Sequence, residues 1–407
     1  MKQTNEILPK PVLAGIIFLF LSTIVFLRNP IDSPYTQHYF FLSRSFLKGK
    51  LDVTAQVKSE YSQNLTYAFD YSIYKDKYFV PMGPFPAIAG VAFLGFGEDR
   101  HLISLSGFFL IFTLFFLFKL VQHFQPRNAF LNSLLLITAS PVLTCLVFKG
   151  PWYLSGLIAG GLALAFLWFF KVKHSRWASF WLIPLVLTRP TTIFYYFLPA
   201  LKILKNPRKH LKNEGAVLIL SLITCLILIS AYNYFRFDNP LSFGYRYQRI
   251  PDAEFRDLRK FREKGPEDYF LSNALYLLIN PPRPLINPAL RFIFPYFELS
   301  RYGVGLIFIM PWFLPYLFYS HRWHKDWPFL ITVLAILASI LSFWGEGSFQ
   351  IGSRYANDFL PLLIFINLRW LKKKPRFRPI FNQLLTLGFI LGVYFFFLVS
   401  LGHLRRA

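Results

Sequence analysis

Apolar runs near or above the thickness of a bilayer recur from one end of this 407-residue chain to the other. They fall at 11–27, 81–97, 104–121, 129–147, 152–170, 177–203, 215–234, 302–320, 327–344, 355–369 and 380–401. A membrane-crossing helix needs about 20 such residues, somewhat fewer where helices are short. Only 16% of the residues are charged and 55% are hydrophobic, where a soluble domain carries about a quarter charged. A soluble enzyme, a disordered tail protein and a disulfide scaffold are thereby excluded, and the chain reads as a polytopic membrane protein. Its net charge of +24 would point to nucleic acid in a soluble chain. In a membrane protein it reflects lysine and arginine held in cytoplasmic loops, so no nucleic-acid partner is expected.

The basic residues set the orientation. Short basic connections lie at 171–176 (KVKHSR), at 202–212 (Lys202, Lys205, Arg208, Lys209, Lys212), at 321–325 (HRWHK) and at 372–378 (KKKPRFR). Connections of this kind stay in the cytoplasm, and so should the N-terminal tail with Lys2 and Lys10. If every apolar run were one span, these assignments would conflict. Two segments resolve the parity. The run PMGPFPAIAGVAFLGFG at 81–97 holds three prolines and four glycines, a poor straight helix and a good re-entrant or surface-lying segment. The run at 177–204 carries Thr188-Arg189-Pro190 near its centre between two basic ends, and reads as two short antiparallel helices hinged at Arg189-Pro190. Taking 81–97 as a true span would instead export nearly every basic loop.

The expected fold is therefore all-α: a polytopic transmembrane helix bundle of about eleven spans, with a re-entrant segment and two large extracytoplasmic loops. The N-terminus lies inside and the C-terminus outside. The first apolar run is followed by Arg28 and Pro30 without a small-residue cleavage site, so it reads as a retained span. Three regions follow: a membrane module 1–234 that includes the outer loop 28–103, a second outer loop 235–301, and C-terminal spans 302–407. In the first loop FFLSRSFLKG predicts a short amphipathic helix on the membrane surface, and Asn64-Leu65-Thr66 fits a glycosylation sequon. In the second, AEFRDLRKFREK predicts a charged helix and NPPRPLINP a proline-rich connection. Cys145 and Cys225 sit inside apolar runs without a CxxC pair and read as small core side chains.

No Walker loop, GxGxxG, HExxH or GxSxG is present, so chemistry must come from polar residues at the outer membrane boundary, where burial is costly. Asp32 follows the first span by a few residues and fits either a general base or cation ligand, or an Asx turn. Asp70 and Asp76, interleaved with Tyr71, Tyr74 and Tyr78, suit carbohydrate stacking and hydroxyl hydrogen bonding; the same stretch equally fits a β-hairpin with YKDKY at its turn. Arg189 can face an anionic ligand, a lipid phosphate above all, or snorkel to the headgroups. In GEGSFQIGSRYANDFLP, Glu346 sits in the outer loop while Arg354 and Asp358, at i and i+4, should pair on one helix face or turn Arg354 towards a ligand. Arg236 and Arg246, in YNYFRFDNPLSFGYRY, either contact lipid phosphate or anchor at the headgroups.

The order of these features resembles the GT-C class of integral-membrane glycosyltransferases, in the bacterial branch akin to oligosaccharide, mannosyl and aminoarabinose transferases. The resemblance covers most of the chain: one span, an outer loop with an early aspartate, a helix ending in LKGKLDV, then KDKYFVPMGPFPAI, LTRPT, YNYFRFDNPLSFGY and GSRYANDFLP. It implies a sugar transfer from a polyprenyl-phosphate or polyprenyl-diphosphate donor to a lipid, glycan or protein acceptor outside the cytoplasm, in a bacterial inner membrane. Asp32 would be the catalytic base or a residue linked to a divalent cation, the one cofactor implied. Arg189 and Arg354, with Tyr355, Glu346, Arg246 and Tyr78 around them, would hold the donor. The chain departs from the family in the short outer loop 148–156 (FKGPWYLSG), where many members carry a further acid and here Lys149, Trp152 and Tyr153 stand. Asp32 also lies about two residues further from Gly49 than the family spacing. These departures point to a rearranged site using Asp70 or Asp76, or to lost activity, and put the metal in doubt. Competing readings are a carrier or flippase for a lipid-linked or anionic solute, which should show paired repeats with matched broken helices, where the sequence offers one break at Arg189-Pro190 and no internal repeat, and a non-catalytic assembly factor on the same scaffold.

Overall fold

A computed structural model of the protein describes residues 10–26, 37–62, 68, 70–148, 150–205, 207, 214–249, 266–320, 323–343 and 350–403. Helix dominates. Among the described residues five helices are long and apolar enough to cross a membrane: Arg100–Phe124, Pro151–Lys171, Ala216–Phe237, His324–Leu341 and Pro375–Ser400. Four of them carry exposed Ile111, Leu220, Ile227, Leu334 and Ile390 on their outward sides, positions where a helix in water would place charge.

The expected number of spans is not reached by helices of that length: the first run forms one undivided helix of 17 residues, Lys10–Phe26, and prolines or 3-10 turns divide others. Ser140-Pro141 splits 129–147 into Ala129–Thr138 and Val142–Val147. Pro311 interrupts 302–320 between Leu306–Ile309 and Leu314–Tyr319. A proline lacks the donor for the preceding turn and its ring crowds that turn's carbonyl. The 81–97 run forms a helix Phe85–Gly90 and a 3-10 turn Val91–Phe96, six residues each, too short to span. It ends at Gly97 with φ of +80°, and His101 Nε2 lies 2.9 Å from the Gly90 oxygen at the reversal.

The 177–203 run breaks where expected. Helix Ser175–Thr188 stops at Arg189, which is extended, and the chain continues as a 3-10 turn Pro190–Tyr196 and helix Phe197–Lys205. Lys202 returns to within 5.9 Å of the Phe170 ring, at the end of Pro151–Lys171 from which Ser175 departs. Arg189, in contrast, reaches Ser155 near the start of that helix. The stretch therefore doubles back at Arg189-Pro190.

The helix Pro151–Lys171 is the axis of the bundle. Gly156, Ala159, Gly160, Gly161, Ala163 and Ala165 keep it slim, so its neighbours Ser175–Thr188 and Arg100–Phe124 pack closely, as small residues allow in membrane bundles. Its C-terminal end meets the basic connections. Lys171 and Lys372 flank the Phe124 ring at 5.5 and 5.9 Å, and Arg369 pairs with Asp326 at 3.1 Å. Polar side chains gather at the other end, and residues 155 to 171 rise about 24 Å between the two.

Two short hairpins complete the described residues: Ser72–Tyr74 with Lys77–Phe79, and Arg283–Ile286 with Phe292–Glu298. One strand of the second, Arg283–Ile286, lies in the stretch NPPRPLINP expected as a proline-rich connection, with Pro284 inside the strand. Helix His38–Leu47 forms as FFLSRSFLKG predicts. His38 to Ser43 are all buried, packed under the 85–96 segment, because its aromatic residues run around the helix and do not keep to one stripe. The sequon at 64–66 and the charged stretch AEFRDLRKFREK fall outside the described residues.

Candidate functional site

Arg189 is placed by its proline. The hinge ends one helix and turns the side chain inward, where it is 8% exposed. Its Nε lies 2.5 Å from Asp358 Oδ1, and its Nη1 donates to Ser155 Oγ at 3.4 Å. Asp358 is fully buried and accepts a second bond from Thr191 Oγ1 at 2.6 Å. The Arg354–Asp358 pair predicted from i, i+4 spacing therefore does not form. Arg354–Asp358 is a 3-10 turn, whose three-residue period sets positions four apart on different faces, and Asp358 turns to Arg189 across the bundle.

Arg354 meets aromatic rings. It lies 5.0 Å from the Tyr153 ring and 5.1 Å from the Tyr355 ring, and Arg189 lies 5.0 Å from that same Tyr355 ring. Tyr355 thus sits between two guanidiniums, whose attraction to ring faces strengthens when both are withdrawn from water.

Asp70 joins this group from the first outer loop. Its carboxylate accepts hydrogen bonds from Trp152 Nε1 at 3.2 Å and from Gln248 Nε2 at 2.8 Å. Burial pushes its carboxyl above the ordinary carboxylate range, against the pull of those two bonds and of the Arg354 charge. The loop 148–156 has no acid of its own, yet Trp152 brings one to it from another segment.

The quoted motifs account for this assembly. In YNYFRFDNPLSFGY, buried Arg236 donates to the Val80 oxygen at 2.7 Å and to Asn233 Oδ1 at 2.8 Å, fastening the end of Ala216–Phe237 to the strand before PMGP. Gly244, at φ of +83°, lies against Phe237 and Ser72 so closely that a Cβ would collide with both. Ser72 Oγ donates to the Gly244 oxygen at 2.8 Å, and Lys75 pairs with Asp238 at 2.6 Å. These contacts dock the first hairpin on the loop carrying Tyr245 and Gln248, and so carry Gln248 to Asp70. Tyr245 stacks over Trp152 at 6.4 Å. In PMGP, Gly83 packs on the carbonyls of Leu187 and Thr188, leaving no room for a side chain, so the 81–97 segment braces the Arg189 hinge.

The other predicted site residues are dispersed. Asp76 stands on the exposed turn of the first hairpin. Tyr78 is buried with its ring edge-on to Tyr71 at 6.4 Å, while Val53 N donates to its oxygen and Thr54 Oγ1 accepts from its nitrogen. Arg246 is exposed and stacks on Tyr247 at 4.6 Å. Asp32 and Glu346 lie outside the described residues. Trp152, Ser155, Thr191, Tyr245 and Gln248 were not singled out as site residues, since neutral donors in an aromatic chain carry no signal until a fold converges them. Both cysteines are buried thiols.

Three guanidiniums (Arg189, Arg236, Arg354) and two carboxylates (Asp70, Asp358) thus lie at one end of the bundle, with tyrosine and tryptophan between them. The arrangement can hold an anion, present aromatic faces to a sugar ring, and accept a proton at Asp70. Among the described residues no three His, Cys, Asp or Glu side chains group so as to hold a metal ion. No family model, curated protein or solved structure matches the chain.

Proposed function

We propose that this chain is a GT-C-like membrane glycosyltransferase that moves a sugar from a polyprenyl-phosphate-linked donor to a lipid, glycan or protein acceptor on the extracytoplasmic side. The observation that carries this reading is the convergence of half-buried Asp70 and buried Arg354 and Arg189 on the partly exposed rings of Tyr153, Tyr355 and Trp152. The proposal includes eleven traverses of a bacterial inner membrane, the broken runs crossing as shorter helices, with a cytoplasmic N-terminus. The gathering of Lys171, Lys202, Arg369 and Lys372 at the end remote from the site supports that topology.

In the proposed reaction an acceptor hydroxyl attacks the anomeric carbon and the bond from that carbon to the phosphate oxygen breaks. Asp70 takes the hydroxyl proton; its raised carboxyl pKa makes it a better base than an ordinary aspartate once ionised. Polyprenyl phosphate leaves with the bonding electron pair, and Arg354 stabilises the charge that develops on it, in surroundings where burial strengthens the interaction. Arg189, already held by Asp358, positions Tyr355 and through it Arg354. Asp70 replaces Asp32 as the preferred base of this scheme because its partners orient it within the cluster.

The test is a turnover assay of the protein in nanodiscs with a panel of undecaprenyl-phosphate-linked hexoses and pentoses and a cell-envelope extract as the source of acceptors, reading the release of free undecaprenyl phosphate. Release by the wild type and its loss in Asp70→Asn and Arg354→Gln is expected. No release from any donor, together with no thermal stabilisation by undecaprenyl phosphate itself, would falsify the reading.

A further inference from the structure

The hairpin Arg283–Ile286/Phe292–Glu298 has no counterpart in the proposed reaction, and its surface is unusual for a loop in water. Phe292, Ile293 and Phe294 are exposed by 61%, 48% and 64%. Successive strand residues point to opposite faces, so an exposed apolar run at consecutive positions leaves both faces of the ribbon apolar. Ile286 pairs across the ribbon with Phe292, and Leu290 at the tip is 86% exposed. Leu290 also occupies a left-handed position with φ of +57°, which glycine or asparagine would hold more cheaply.

The position of the ribbon identifies the medium these faces meet. The Tyr394 hydroxyl donates to the Pro295 oxygen, Phe294 packs edge-on against Phe397 at 6.4 Å, and Leu299 N donates to the His403 oxygen at 3.0 Å. The ribbon therefore lies beside the last two turns of Pro375–Ser400, one of the helices of membrane-spanning length, and its apolar surface continues the exposed face of Phe397 and Leu401. Arg283 and Arg291 are exposed on the same ribbon, placed to meet lipid phosphates. Each strand still has an unpaired edge, which the hydrocarbon centre would not tolerate. The depth that satisfies both constraints is the boundary between headgroups and acyl chains, about 5–10 Å into one leaflet.

We propose that this hairpin is a membrane anchor, dipping Leu290, Phe292 and Phe294 into the leaflet that surrounds the end of Pro375–Ser400, with a phospholipid surface as its partner. The inference does not depend on the glycosyltransferase reading. Both native cysteines are buried, so single cysteines on the ribbon can be spin-labelled selectively. Leu290→Cys and Phe294→Cys, with Lys77→Cys on the first hairpin as a reference in water, are labelled in nanodiscs of phosphatidylcholine and phosphatidylglycerol. Collision rates with dissolved oxygen and with a water-soluble nickel chelate are then compared. The anchor requires both ribbon labels to favour oxygen over nickel while the Lys77→Cys label favours nickel. Nickel-dominated collisions at both ribbon sites would place the hairpin in water. Low collision rates with both reagents would mean a protein surface covers it, whether a second copy or another partner; either result overturns the proposal.

Discussion

Asp358 holds its partner at a distance in sequence that no local rule reaches. Removing one member of a buried ion pair leaves the other charge stranded, at a cost of about 3–5 kcal/mol. Asp358→Ala should therefore lower the thermal unfolding temperature sharply. The double variant Arg189→Met/Asp358→Leu should recover most of that loss, because neither charge is then buried. A double variant as unstable as the single one would mean the pair is not what holds the hinge. Asp70 makes a prediction in pH. Its carboxyl is held above its unfolded value, so its contribution to stability is present below the ordinary carboxylate pKa and is lost as pH rises through the raised one. Proton acceptance runs the opposite way: kcat/KM of the wild type should rise with pH through that raised value. Asp70→Asn should lower the rate by about 10²–10⁴-fold and leave no such limb. A pH profile unchanged by the substitution would remove Asp70 from the reaction.

At the level of elements, the chain is built from segments that proline and glycine interrupt at places of use. Pro190 ends a helix where Arg189 must turn inward. Gly83 lets the 81–97 segment touch the carbonyls of that same helix end, so two motifs about a hundred residues apart form one joint. Gly83→Ala would drive a methyl group into backbone, which cannot give way as a flexible side chain can. The variant should lose about 1–3 kcal/mol of stability, as overpacking does. It should also lose activity beyond that loss, because the Arg189 hinge shifts with it. Gly95→Ala, on the same segment but facing open space, should be nearly silent when both are compared by thermal unfolding and turnover. Equal effects from the two would remove the joint from the account. The first hairpin follows the same logic, since Ser72 and Gly244 dock it so that Gln248 can reach Asp70.

Across the whole molecule, the basic connections and the polar site stand at opposite ends of the bundle. Lys171, Lys202 and Lys372 stand at one end and Arg189, Asp70 and Arg354 about 24 Å away along the same helix. A compartment-sensitive reporter inserted near Gln125 and a second near Lys205 should both read cytoplasmic, which requires that 81–97 not cross and that 177–203 cross twice. If both read external, the orientation is reversed and the site faces the cytoplasm, where an extracytoplasmic transfer has no acceptor.

Much of this was written in the linear chain. The apolar runs, the proline-bearing breaks at 81–97 and 189–190, the YKDKY hairpin and the basic connections follow from backbone chemistry and from the cost of moving charge through lipid, both of which act locally. The tertiary structure decided which charges meet. Asp358 belongs to Arg189 and not to Arg354 because a 3-10 turn changes which residues share a face. Asp70 serves a loop without an acid because Trp152 and Gln248 arrive from other segments. The buried face of His38–Leu47 and the pairing of Arg283–Ile286 with Phe292–Glu298 were likewise settled by packing. Pairing over such separations depends on how helices close around one another, and the one-dimensional pattern specifies only that each must bury an apolar side.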